Sequence, residues 1–310
     1  MGRVRWYMLA QAIMRFETSI RGTVEVSGVG LHSGAPVHMR IVPAPPGTGI
    51  VFVRTDLNNY KIPASWEYVA KVSYATSLMR KSVLISTTEH LLSVFYSMCI
   101  DNAFVELDSL EVPILDGSGA PFVDLIREAG IQTSKRLRRY LRIVKPVEVE
   151  TNGKRVAILP ADQFELSCQI FFSHSLVGEQ SLELEVSPET YANEIAPART
   201  FGFEHELDAM RDQGLIRGAS LANAVCFAQD HVANPGGLRF PDEPCRHKAL
   251  DLIGDLALLG RPLLGRVVAY KAGHAMHAHL VKQIMSDSSL YRIMTYDQVK
   301  ATTLQTALVS

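Results

Sequence analysis

No run of apolar residues in this chain approaches the ~20 that a membrane-spanning helix needs. Neither sign of charge dominates: 31 lysines and arginines stand against 32 aspartates and glutamates, a formal net charge of −1. The first absence excludes a helical membrane span; the second excludes an overall basic field that would gather nucleic acid or coat an anionic membrane. Cysteine is scarce as well. Cys99, Cys168, Cys226 and Cys245 are far apart and form no CxxC pair, which suits reduced thiols in the cytoplasm better than a disulfide framework. Glycine-rich phosphate loops are missing too, because GTG (47–49) and GSGAP (117–121) lack the lysine or the strand-to-helix setting that such loops require. What remains is ordinary: 310 residues, 47% of them apolar, enough to bury a sizeable core and, by length, to form about two domains. The expected unit is a monomer acting on a small molecule.

The opening MGRVRWYMLAQAIMRF has arginines at 3, 5 and 15 and an apolar stretch broken by Gln11, with no small-residue cleavage site, so it is not a secretory signal. Its lack of acids is compatible with an organelle-targeting peptide, but it has no serine, and residues 1–16 read more simply as a disordered extension. Beyond it, TVEVSGVGLHSG, PVHMRIVPA and GIVFVR alternate as strands do, punctuated by Gly and Pro. SVLISTTEHLLSVFYSMCI changes period: a strand, a Ser/Thr cap, then Leu91, Leu92, Phe95 and Met98 at helical spacing, which puts Glu89 and His90 near a helix N-terminus. DNAFVELDS reads as a strand and APFVDLIREAGI as a helix closed by Gly130.

The basic run SKRLRRY (134–140) reads as a linker with solvated charges, dividing a first α+β domain (17–133) from a second (141–310). The second half loosely repeats the first. VAILPADQFELSCQIFF matches VHMRIVPAPPGTGIVFV as strand, Pro-Ala turn and strand, and HKALDLIGDLALLGRPLLGRVVAY matches HLLSVFYSMCIDNAFVEL as histidine, helix, turn and strand. Between corresponding features, Pro43 to His90 spans 47 residues and Pro160 to His247 spans 87, so the second half carries an insertion. Its natural place is about 200–230, where RTFGFEHELDAMRDQGLIRGASLANAVCF reads as strand, helix (204–212), glycine-bearing turn and strand. Two similar halves facing each other would bring the histidine-bearing helix starts together in the cleft.

Within RHKALDLIGD (246–255), His247, Asp251 and Asp255 recur every four residues and share one helix face, opposite Ala249, Leu252, Ile253 and Leu256. Taken alone, this favours a solvated face with a His–Asp pair. A catalytic zinc site, however, needs three protein ligands and an open position. His247 and Asp251 could supply two, His90 the third, and the neighbouring Glu89 a base. In KAGHAMHAH, His274 reads as a residue of a strand-end loop that could act as general acid if Asp255 holds it charged; His277 and His279 are nearby, and any of the three could lie at the surface. A Cys245–His247 nucleophile pair is disfavoured, since adjacent positions at a helix start point apart.

In this order, the segments GVGLHSG (28–34), STTEH (86–90), PILDGSGAPF (113–122), ARTFGF (198–203), GLRFPDEPCRHKALDLIGD (237–255) and KAGHA (271–275) resemble the zinc-dependent UDP-3-O-acyl-N-acetylglucosamine deacetylases of lipid A synthesis. The resemblance implies an α+β fold of two topologically similar two-layer sandwich domains, each an antiparallel sheet with helices on one face, with the active site between them. It implies Zn²⁺ on His90, His247 and Asp251, Glu89 as base, and His274 as acid paired with Asp255. Thr200 would hold the oxyanion, Phe201 would pack on the sugar, and Lys248 would contact substrate polar or phosphate groups. Phe203, Ile216, Ala219 and Leu221 would line a passage for the acyl chain. Two departures stand out: Ala219 replaces a family glycine, bearing on acyl length, and Pro244 replaces a common aromatic. The rival readings are a non-catalytic acyl- or nucleotide-sugar-binding homologue and a zinc deacetylase for another N-acyl sugar.

Overall fold

The computed structural model describes residues 12–309; residues 1–11 of the expected extension lie outside the described residues. Residues 12–15 are helical, and the Tyr140 hydroxyl donates to the Met14 carbonyl at 2.5 Å, so this part is tied to the body. The chain then forms β1 (Phe16–Ile20), β2 (Val24–Val29), β3 (Pro36–Pro43), β4 (Ile50–Arg54), β5 (Tyr60–Pro63), β6 (Val69–Lys71), β7 (Ser77–Arg80) and β8 (Val83–Ile85). Helix α1 (Glu89–Ser97), β9 (Ala103–Leu107) and α2 (Ala120–Ala129) follow. The alternation read in PVHMRIVPA is real: Val37, Met39 and Ile41 are buried while His38 and Arg40 face solvent. Gly130, at φ 67°, closes α2 with its N–H on the Ile126 carbonyl.

The second half comprises β10 (Ile131–Leu137), β11 (Arg139–Ile143), β12 (Val147–Thr151), β13 (Lys154–Leu159), β14 (Phe164–Phe171), β15 (Glu179–Glu185) and β16 (Phe201–Phe203). Then come α3 (Leu207–Asp212), β17 (Val225–Phe227), α4 (Glu243–Leu256), β18 (Leu263–Tyr270), α5 (His274–Ser286), β19 (Tyr291–Thr295) and a last helix, α6 (Tyr296–Val309). The first sheet runs β2-β3-β9-β4-β5, and the second contains the path β12-β13-β18-β14-β15. In both, the pair at the third and fourth places (β9–β4, β18–β14) is parallel and every other pair along the path is antiparallel. Each half also places one helix before its central strand (α1, α4) and one after it (α2, α5). The loose sequence repeat is therefore a repeat of topology, and the fold is α+β.

Three expectations are corrected. The sheets are mixed rather than antiparallel, because a helix crossover returns β9 beside β4, and β18 beside β14, in the same direction. The charges of the run 134–140 are not all solvated, because most of the run belongs to β10, which pairs antiparallel with β1, and to β11. Arg138 between them is buried, its Nε 2.9 Å from Asp101 Oδ1. The spacing surplus is a difference between two insertions, since the first half has its own in the small sheet β6-β7-β8. The second-half insertion does read as strand, helix, turn and strand, with β16 and β17 paired in parallel.

The helix read as half-solvated is also not so. In α4 only Arg246 and Lys248 escape burial. One side of α4 lies on β14 and β15 and the other packs on α1, so its polar row faces a second helix instead of water. Leu250, Leu252, Ile253 and Leu256, all fully buried, each contribute about 1.5–3 kcal/mol by leaving water. Gly254 is where the helices touch: a Cβ there would lie 2.0 Å from the Glu89 carbonyl oxygen.

Candidate active site and metal centre

Because α1 and α4 meet at their polar positions, residues 157 apart in sequence come together. His90 Nε2 lies 3.6 Å from Asp251 Oδ1, and His247 Nε2 lies 3.4 Å from the same oxygen. One donor atom from each of His90, His247 and Asp251 falls within 4.8 Å of the others, and all three residues are buried. The His247 Nδ1–H donates to the Ala198 carbonyl at 3.1 Å, which leaves Nε2 as the free lone pair. Burial, against the pull of Asp251, pushes the His247 imidazolium down to about 4, so the ring is a neutral donor at pH 7. Burial works against ionisation of Asp251, but Lys248 and His247 outweigh it and hold the carboxyl well below the usual range. His90 and His247 meet edge to face at 4.9 Å, and the buried His90 Nδ1 has no hydrogen-bond partner. Two buried imidazoles, one of them held neutral, and an ionised carboxylate converging on one point are a donor set suited to a divalent metal ion.

Glu89 is fixed by the chain just before α1. Thr87 sits at φ 56°, its hydroxyl bound to buried Glu111 at 2.8 Å, and Thr88 donates to the Thr76 carbonyl at 3.1 Å. The Thr76 N–H in turn donates to Glu89 Oε2 at 3.0 Å. Burial raises the Glu89 carboxyl above its ordinary range, against the opposing pull of His274 and His90. A poised carboxylate beside a metal-donor cluster is what a general base requires.

His274 is not in a loop. It is the first residue of α5, with Gly273 as the cap. Its Nε2 lies 3.9 Å from Asp251 Oδ2 and 4.0 Å from Glu89 Oε1, while its Nδ1 donates to Asp255 Oδ2 at 2.7 Å. Burial disfavours its cation, but Asp255 outweighs burial and lifts it to about 9. Reciprocally, burial alone would raise Asp255, yet His274 and His277 bring it to about 2. Two further members complete this group, of which the sequence reading names only His277 and gives it no role. His277, buried, donates its Nδ1–H to the same Asp255 oxygen at 2.8 Å, and Thr76 donates to the other oxygen at 2.5 Å. The i, i+3 spacing of His274 and His277 could have flagged the first once a helix was assigned there; nothing in sequence pointed to Thr76. His279 is exposed.

A cavity of about 720 Å³ opens from this cluster and runs under the insertion. Thr200 and Phe201 line it beside Lys248, and Phe203, Ile216, Ala219 and Leu221 line its apolar length, together with the unforeseen Leu207 and Met210. Phe201, Phe203 and Phe227 pack mutually at 5.8–6.1 Å. The insertion is locked to the first half through the Gly218 N–H on the Leu31 carbonyl at 3.0 Å. A Cβ on Gly218 would lie 2.1 Å from the Gly30 oxygen, so only glycine fits there, whereas the next position, Ala219, lines the cavity. Lys248 also touches the donor cluster: its Nζ is 2.9 Å from Asp251 Oδ2 and 5.9 Å from the Phe201 ring. Pro244 occupies the first turn of α4, where proline costs nothing. Cys245 is fully buried with its thiol on the Cys168 carbonyl at 3.4 Å, so no nucleophile pair with His247 forms.

Comparison with known proteins gives the family of the chain. The family model described as LpxC: UDP-3-O-acyl N-acetylglycosamine deacetylase matches residues 17–286. The chain is 66% identical over 297 residues to the UDP-3-O-acyl-N-acetylglucosamine deacetylase of Solibacter usitatus, covering 96% of this chain and 100% of that protein. It is 48% identical to the protein of that name from Myxococcus xanthus, over 87% of this chain and 86% of the relative. Against the one from Anaeromyxobacter dehalogenans it is 42% identical, over 90% of each. With a family match from before β2 to the end of α5, a repeated α+β fold and a buried donor cluster at the meeting of the halves, this chain belongs to the UDP-3-O-acyl-N-acetylglucosamine deacetylase family.

Proposed function

We infer that the protein hydrolyses the N-acetyl group of UDP-3-O-acyl-N-acetylglucosamine, giving the free amine and acetate, the committed step of lipid A and hence lipopolysaccharide synthesis. The observation that carries this reading is the convergence of His90, His247, Asp251, Glu89 and His274 at one end of the 720 Å³ cavity. The substrate's amide sits at the cluster and its acyl chain in the apolar length. The metal is Zn²⁺, held by His90, His247 and Asp251; when bound there it supplies Lewis-acid polarisation of the amide carbonyl and acidifies water. The two α+β halves, residues 17–133 and 141–310, act as the two domains of the enzyme, with β10 and β11 joining them.

The chain's own residues perform the proton transfers. Glu89 takes a proton from the attacking water as its oxygen bonds to the carbonyl carbon. Thr200 donates to the oxyanion of the tetrahedral intermediate. His274, kept cationic by Asp255, gives its Nε2 proton to the glucosamine nitrogen, and the C–N bond breaks. Thr76 and His277 complete the hydrogen bonding of Asp255 and so fix its orientation. Lys248 anchors Asp251 and presents its remaining protons to substrate oxygens, with Phe201 against the sugar.

Metal analysis combined with acetate release across acyl lengths tests this reading. The Glu89→Gln variant retains its metal and loses about 10²–10⁴-fold in turnover, whereas His247→Ala loses the metal. Full activity in the Glu89 variant would overturn the base assignment, and stoichiometric zinc without turnover would favour a non-catalytic binding protein. Equal rates with and without the 3-O-acyl chain would point to another N-acyl sugar.

A further inference from the structure

The basic run SKRLRRY finds no role in the deacetylase site, and the structure places it at a second cleft. This cleft, of about 290 Å³, lies at the far end of α1 from Glu89, between the Gly47–Gly49 turn, the chain following α4 and the β10–β11 segment. Leu92, Phe95, Tyr96 and Ile100 form its apolar floor, and Arg136, Arg138, Arg139 and Arg261 stand around it. The only carboxylates lining it are Glu17 and Asp101. Both are engaged: Arg136 Nε lies 2.8 Å from Glu17 Oε1, and Arg138 Nε lies 2.9 Å from Asp101 Oδ1. Arg139 and Arg261 have no carboxylate partner within 4.0 Å among the described residues, and both are exposed. The cleft thus has an excess of two positive charges on a chain whose net charge is −1.

A concave site with an apolar floor and two guanidinium groups not neutralised by carboxylates has the chemistry of phosphate recognition, because the planar fork of arginine matches phosphate oxygens in a bidentate manner. Its volume of about 290 Å³ lies just below the ~300–1,000 Å³ range of drug-sized pockets. We propose that this cleft binds a small phosphorylated metabolite, no larger than a sugar phosphate or mononucleotide, through Arg139 and Arg261, apart from the deacetylase site. Most of the floor, Leu92, Phe95 and Tyr96, belongs to α1, which carries Glu89 and His90 at its start, so the ligand would rest on the helix that positions the catalytic cluster.

The test uses the zinc-loaded, full-length enzyme with inorganic phosphate and ribose 5-phosphate as probes, followed by calorimetry and by amide shift mapping. Binding moves the amides of Gly47, Gly49 and Asn102, and the R139Q/R261Q variant weakens it at least about tenfold while leaving deacetylase turnover unchanged. Binding also persists in H247A, which separates it from phosphate held at the metal centre. Shifts confined to the His90–His247 region, equal affinity in R139Q/R261Q, or no saturable binding at millimolar probe would each overturn the proposal. Should the double variant not fold, shift mapping on the unmodified enzyme decides alone.

Discussion

Asp255 is the residue on which the acid role proposed for His274 turns. It accepts from His274, His277 and Thr76, all of them buried, and its charge is what lifts His274 to about 9. The sign follows directly. His274 is protonated below that value, so its capacity as an acid, and the stability its ion pair adds, are present at neutral pH and are lost as pH rises through about 9. Glu89, raised by burial, loses its basic form on acidification earlier than an ordinary carboxylate. A bell-shaped kcat/KM profile is expected, and Asp255→Asn should draw the alkaline limb down toward the ordinary histidine range. An alkaline limb that stays in place would show that His274 is not the group reporting it. His277→Ala should move the same limb less, because Asp255 keeps its bonds to His274 and Thr76.

At the scale of the element, the site depends on how closely α1 and α4 approach. Gly254 has no room for a methyl group against the Glu89 carbonyl. Gly254→Ala should therefore separate the helices, cost about 1–3 kcal/mol or more, and lower both melting temperature and turnover. Gly236, which has open space around it, is the matched control, and Gly236→Ala should leave both unchanged. Similar losses in the two variants would mean that the helix contact is not the constraint. Helix α4 also marks a limit of pattern reading. Its residue types were all visible, and so was the four-residue row of His247, Asp251 and Asp255. The row's surroundings were not, because a polar stripe facing water and one facing another polar stripe have the same period. His274 was likewise misplaced in a loop: Gly273 reads equally as loop or as helix cap, and only the hydrogen bonds of the following turn settle which.

For the molecule as a whole, the donor cluster stands where the two halves meet, so a metal held as proposed would tie the first half, through His90, to the second, through His247 and Asp251. Chelation should abolish acetate release, and zinc should restore it. Because a ligand at a hundredfold excess over its Kd stabilises the folded state by about 2.7 kcal/mol, chelation should also lower the melting temperature by several degrees. An unchanged melting curve after verified loss of the metal would argue that the cluster is not a metal centre.

The amino-acid sequence determined the order and type of most elements, the internal repeat and the identities of the cluster residues, because period, caps and turn residues are local properties. The repeat was readable in the Pro-Ala turns and the histidine-led helices even though few residues are shared. Only the tertiary structure decided that Arg138 is buried on Asp101, that His277 and Thr76 close around Asp255, and that β9 runs parallel to β4 and β18 parallel to β14. These depend on contacts between segments far apart in the chain, and burial, the property that turns a row of polar side chains into a reactive site, is set by what packs opposite rather than by the row itself.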